Sequence, residues 1–234
     1  MIPARILLIH GALADGSSWS KVIPTLQAAG HNVTAVQQPL TGLPQDIATV
    51  KATLHGMNEA SDVPIVVAGH SFGGFVMTNA VTDAPNIKAL VYVHGFAPDE
   101  GETVTGLGKN YTALESAKHF VPEGSGRLIL GEADFLHYFA PDVEKREARV
   151  LAATQGPFDA GRFDFPSGKP AWKQTKNIHY IIAEKDQIIQ PELQAFFAKR
   201  LGAKTHTLKG ASHAGLVSQG ENVANIILEA ANGC

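Results

Sequence analysis

The stretch Ile65-Val66-Val67-Ala68-Gly69-His70-Ser71-Phe72-Gly73, followed by a helix-like run over residues 74–82, decides how this chain is read. Its first four residues are apolar without alternation and mostly β-branched, as a parallel strand covered on both faces requires. Ser71, with a glycine two residues to either side, then stands between strand and helix. A sharp turn there lifts the hydroxyl above the carboxyl edge of a sheet, and the glycines let backbone pass where a Cβ would collide. The G-x-S-x-G spacing alone arises often by chance. The strand before it and the helix after it give it chemical meaning.

Working outward, β-rich runs at 5–10, 32–37, 64–69, 87–94, 177–183 and 205–208 alternate with helix-like patterns at 18–29, 45–59, 74–82, 191–201 and 220–231. The alternation predicts an α/β fold: a doubly wound, mainly parallel six-stranded sheet. Between residues 98 and 170 the rhythm breaks into a stretch rich in Gly, Pro, acids and aromatics. It reads as a small helical cap inserted after the fourth strand, with 1–97 and 171–234 forming the core. Six of the eleven phenylalanines fall there (Phe120, Phe135, Phe139, Phe158, Phe163, Phe165), and they are expected to fasten the cap and to line a pocket. No internal repeat or low-complexity tract is visible.

A serine hydroxyl is a weak nucleophile at neutral pH. It needs a base within hydrogen-bonding reach and a third group that orients the base. With the serine on a strand–turn–helix, the acid and then the histidine are expected past the ends of later strands. His213 is the one histidine beyond the last predicted strand and is the candidate base. Asp186, at the end of Tyr180-Ile181-Ile182-Ala183-Glu184-Lys185-Asp186, is the leading candidate for the acid; Glu184 and Asp99 are its rivals. The developing oxyanion needs backbone donors, and Phe72 and Ala12 are placed to supply them. His10, Gly11, Leu13, His94, Phe135 and Phe139 are candidate pocket residues. His70 and His94 are expected as buried supports near the sheet edge, and Ser17 and Ser18 as caps of the following helix.

Composition excludes several classes. The net charge of −3 is interspersed, with no Lys/Arg run, so nucleic acid is not an expected partner. The one cysteine is Cys234, so no intrachain disulfide is possible and a cytoplasmic location fits. The apolar run after Arg5 is too short for a signal peptide or a membrane span. Histidines are scattered without H-E-x-x-H or C-x-x-C spacing, and there is no G-x-G-x-x-G or Walker sequence; no metal or cofactor is expected. The expected partner is a small-molecule ester substrate, with the chain acting as a monomer or homodimer.

The segments LLIHGALADGSSW (7–19), VVAGHSFGGFV (66–76), ALVYVHGFAPDEGE (89–102), AEKDQIIQPELQAFFAKRLGA (183–203) and GASHAGLVSQ (210–219) resemble small bacterial α/β-hydrolases of the esterase kind, relatives of the plant hydroxynitrile lyase and methyl-esterase group. The resemblance covers nearly the whole chain. It implies Ser71, Asp186 and His213 as a catalytic triad, Ala12 and Phe72 as oxyanion hole, and cleavage of small uncharged carboxylic esters, a carboxylesterase-type activity. It also raises two alternatives, a small-ligand receptor and a lyase that breaks cyanohydrin or C–C bonds. One lyase type has threonine in the loop after the first strand and lysine beside the histidine, where this chain has Ala12 and Ala214; another has asparagine at the position of Ala12.

Overall fold

The computed structural model describes residues 3–59, 63–82 and 84–233; Cys234 lies outside them. Six strands form one wholly parallel sheet: β1 (Arg5–Ile9), β2 (Asn32–Ala35), β3 (Ile65–His70), β4 (Ile87–Val93), β7 (Asn177–Ala183) and β8 (Lys204–Leu208), in the order β2-β1-β3-β4-β7-β8. All six residues of β3 are buried, which explains its unalternating sequence. The chain runs outward from β1 to β2 and then returns to place β3 on the other side of β1. The direction of winding therefore reverses between β1 and β3, the crevice where open α/β sheets bind ligands. The serine turn and the loop after β1 sit at the carboxyl ends of these two strands.

Right-handed crossovers in opposite directions put helices on both faces. Helix α1 (Ile23–Ala28) packs with α9 (Gly220–Asn232), and α2 (Leu43–Glu59) with α3 (Phe72–Ala80). Helix α7 (Pro191–Arg200) lies against β7, and the short α8 (Gly215–Ser218) leads into α9.

Several boundaries depart from expectation for local reasons. The predicted helix at 18–29 divides into a 3-10 turn, Gly16–Trp19, and α1. Asp15, rather than a serine, caps the turn by accepting from the Ser17 N–H at 2.7 Å, and Pro24, which has no N–H to donate, sits in the first turn of α1. Helix α3 starts two residues before the predicted 74, immediately after Ser71. Strand β4 stops at Val93 because His94 turns out of it with φ 45°.

The stretch 98–170 is not purely helical. It carries α4 (Val104–Gly108), a hairpin of β5 (Phe120–Pro122) and β6 (Leu128–Leu130), α5 (Glu132–Asp134) running into a π-helical turn at Phe135–Phe139, and α6 (Lys145–Thr154). It is tied to the rest of the molecule by polar contacts. Glu102 accepts from both terminal guanidinium nitrogens of Arg200, and Trp172 Nε1 donates to Pro98 O at 2.8 Å.

Candidate active site

Ser71 occupies the bend between β3 and α3 with φ 54° and ψ −125°, a conformation that costs a side-chain-bearing residue about 1–3 kcal/mol. Its surroundings enforce the bend. The Ser71 N–H donates to Val93 O at 3.1 Å, and its carbonyl accepts from Gly74 and Phe96. A Cβ at Gly73 would stand 2.4 Å from Ile9 O and 2.6 Å from His10 O, so only glycine lets α3 start this close to β1.

His213 lies in the loop after β8, fully buried. Its Nε2 is 2.8 Å from Ser71 Oγ and its Nδ1 is 2.7 Å from Asp186 Oδ2. The arrangement assigns the imidazole tautomer: Nδ1–H donates to the carboxylate and the Nε2 lone pair accepts from the hydroxyl. Asp186 is itself anchored. Its Oδ1 accepts the backbone N–H groups of Ile188 (2.7 Å) and Ile189 (3.0 Å), and its Oδ2 accepts from Gln194 Nε2 at 2.8 Å. Both sequence rivals are engaged elsewhere at the surface: Asp99 with Lys173, and Glu184 with Lys209 and the Gly210 N–H.

Gln194 and Asp142 carry no motif and escaped the sequence reading. Gln194 is fully buried; its Oε1 accepts from Ala183 N (3.0 Å), so one side chain ties the end of β7 to the acid. Asp142 accepts from Ser212 N at 3.0 Å, from the Ser212 hydroxyl, and from Ser218 Oγ at 2.7 Å, thereby fixing the residue before His213. Gln194 follows Pro191 by three residues on a helix whose inner face points at the loop of Asp186. That spacing was the one available signal.

A cavity of about 410 Å³ opens onto Ser71 and His213. Ala12 and Phe72 line it, and among the described residues neither backbone N–H has a protein acceptor, leaving two donors beside the hydroxyl. Phe72, Phe96, Phe120, Phe139, Phe158 and Phe163 supply aromatic wall, and among the described residues His213 is the one ionisable side chain in the lining. Of the candidate pocket residues, Leu13 and Phe139 line this cavity; His10, Gly11, His94 and Phe135 do not. Gly11 sits behind Ser71, where an added Cβ would be 2.6 Å from Ser71 Cβ. His10 is turned inward, donating from Nδ1 to Gly11 O (2.8 Å) and accepting at Nε2 from Gln38 N (3.0 Å). Phe135 stacks on the far side of Phe139, and Phe165 is exposed.

His70 and His94 stand beneath the site as buried supports. His70 Nε2 donates to His213 O at 2.9 Å, and His94 Nδ1 to Ile181 O at 3.1 Å. Burial drives both basicities down, His70 well below the ordinary histidine value and His94 to about 4, so both are neutral around the His213 imidazole. Behind Phe72, the fully buried Arg162 guanidinium lies 5.1 Å from the ring centroid and pairs with the equally buried Asp46 at 2.9 Å. Burial raises Asp46 and lowers Arg162 despite their mutual attraction.

A sequence model of the alpha/beta hydrolase family matches residues 6–226. The chain belongs to this family. Within it, this hydrolase is 24% identical to salicylic acid-binding protein 2 of Nicotiana tabacum, over 97% of both chains. It is 34% identical to an alpha-hydroxynitrile lyase of Arabidopsis thaliana, over 66% of this chain and 67% of that one. The crystal structure of polyneuridine aldehyde esterase superposes with a TM-score of 0.82 at 20% identity, covering 97% of this chain and 98% of the other, a likeness of fold.

Proposed function

We propose that this chain is a serine hydrolase cleaving small, uncharged carboxylic esters through an acyl-enzyme on Ser71. The observation that carries the reading is the hydrogen-bonded line Asp186–His213–Ser71 opening directly onto a cavity whose wall, among the described residues, holds no Asp, Glu, Lys or Arg side chain. His213 Nε2 takes the hydroxyl proton as Ser71 Oγ attacks the acyl carbon, and the N–H groups of Ala12 and Phe72 receive the oxyanion. The tetrahedral species collapses, the alkoxide leaves with the proton returned by His213, and the acyl group stays on Ser71. Water, deprotonated by His213, then releases the carboxylic acid. Asp186 holds the imidazole through its hydrogen bond to Nδ1 throughout.

Residues 98–170 serve as a cap that closes the apolar side of the cavity. A carboxylate or ammonium on the substrate would lose its hydration there without a counter-charge, so neutral esters with an apolar or aromatic group are the expected class. Esterases among the relatives, including polyneuridine aldehyde esterase of Rauvolfia serpentina, support the same reaction type. Among the described residues the cavity lining holds neither a lysine nor an asparagine, with Ala12 where one lyase type has asparagine, which favours ester hydrolysis over cyanohydrin or C–C cleavage. The test is labelling with a fluorophosphonate and turnover of 4-nitrophenyl esters, run beside mandelonitrile and a β-diketone. Ser71→Ala is expected to abolish labelling and to lower ester turnover by about 10³-fold or more. Full turnover by that variant, or saturable ligand binding with no ester turnover in the parent, would overturn the proposal.

A further inference from the structure

Away from this cavity, β7, β8 and α9 bring together three side chains that the sequence keeps 27 and 23 positions apart: His179, His206 and Glu229. We infer that they form a binding site for one divalent transition-metal ion of the zinc class. Their ligand atoms all lie within 4.8 Å of one another, with His179 Nδ1 3.1 Å from His206 Nε2, and His206 Nε2 4.0 Å from Glu229 Oε2. In a tetrahedral zinc site with bonds of about 2.0–2.1 Å, ligand atoms sit about 3.3–3.4 Å apart, so side-chain movements of about 1.5 Å or less bring the three into range.

The surroundings suit the task. His179 is buried and its Nε2 is 3.2 Å from Asn177 Oδ1, an acceptor only; Nε2 must carry the proton, which leaves the Nδ1 lone pair facing the cluster. In the metal-free protein His206 donates its Nε2–H to that lone pair: ring centroids 5.3 Å apart and planes within 7° set the two rings edge to edge. A metal replaces the bridging proton when His206 changes to its Nδ1–H tautomer and hinges on the edge strand β8. The side chains of His206 and Glu229 are 19% and 41% exposed, which provides an entry path. Lys204 is the opposing element: its ammonium holds Glu229 Oε1.

The experiment uses tag-free full chain carrying Cys234→Ser, which removes the one thiol. Zn²⁺ is titrated calorimetrically, Co²⁺ is followed by its visible d–d bands, and Tm is recorded with and without metal and after EDTA. One equivalent is expected to bind, raising Tm by about 5–10 °C at a metal concentration one hundred times Kd, reversibly. His206→Gln and Glu229→Gln each weaken binding by about tenfold or more while leaving ester turnover unchanged. Lys204→Met frees the second carboxylate oxygen and tightens binding severalfold, a gain that damaged folding cannot imitate. Absence of saturable binding in the parent, or undiminished affinity in both His206→Gln and Glu229→Gln, overturns the inference.

Discussion

Replacing Gly73 by alanine tests the central geometric claim, because the added methyl meets backbone rather than a movable side chain. The new Cβ would lie 2.4 Å from Ile9 O and 2.6 Å from His10 O, both fixed at the end of β1. Carbon–oxygen contacts of this kind settle at about 3.3–3.6 Å, so the first turn of α3 must retreat by about 1 Å. Ser71 is two residues away and holds a 2.8 Å hydrogen bond to His213 Nε2, which such a displacement breaks. A misplacement of this size lowers kcat about 10²-fold, and strain in a filled interior costs about 1–3 kcal/mol. The assay is steady-state hydrolysis of a 4-nitrophenyl ester beside urea unfolding of parent and variant. Gly56→Ala is the matched control: Gly56 lies within α2 with nothing within 4 Å of an added Cβ. It should stabilise by about 0.5–1 kcal/mol with turnover unchanged. Parental kcat and stability in Gly73→Ala would refute the argument that close approach of β1 and α3 sets the nucleophile.

Gln194→Leu is expected to lower kcat with KM little changed and to cost about 2–4 kcal/mol in urea unfolding, since it strips Asp186 of a donor and orphans the buried Ala183 N–H. Acid sensitivity follows from His94. Its basicity is depressed from 6.5 to about 4, so its contribution is fully present above pH 6.5 and is lost as pH falls to 4, about 3 kcal/mol in all. His94→Asn, which tolerates the positive φ and can still donate to Ile181 O, should flatten that acid limb; an unchanged pH–stability curve would contradict the assignment. Arg162→Met is expected to cost about 3–5 kcal/mol by leaving Asp46 buried and alone, and adding Asp46→Asn should recover most of it while keeping an acceptor for the Leu40 N–H. Thermal or urea unfolding of the two single variants and the double variant closes that cycle.

Local signals made the serine legible. An unalternating apolar run, two glycines and a helical pattern fix a strand, a bend and a helix within sixteen residues, and these are short-range properties of the backbone. Strands β1, β3, β4 and β7 were legible for the same reason, through their apolar runs, while β2 and β8 showed only as short runs with β-branched residues among polar ones. The region 98–170 was not: its elements are three to ten residues long, and the hairpin of β5 and β6 is too brief for a period to declare itself. Element ends moved by one or two residues where a left-handed residue such as His94 decided them, and by five at the start of α1, where the cap at Asp15 and Pro24 split the predicted helix.

By itself, then, the sequence determined the order of strands and helices, the serine on its bend, and a short set of histidine and carboxylate candidates. Tertiary structure decided among them. Only the parallel register of β7 and β8 beside β4 puts Asp186 and His213 in one line with a hydroxyl more than a hundred residues earlier, while Glu184, two positions from Asp186, turns to solvent. The same packing chose which phenylalanines face the cavity, turned His10 inward, buried Arg162 on Asp46, and assembled His179, His206 and Glu229. Such contacts join positions remote along the chain, and a one-dimensional pattern carries no term for the distance between them.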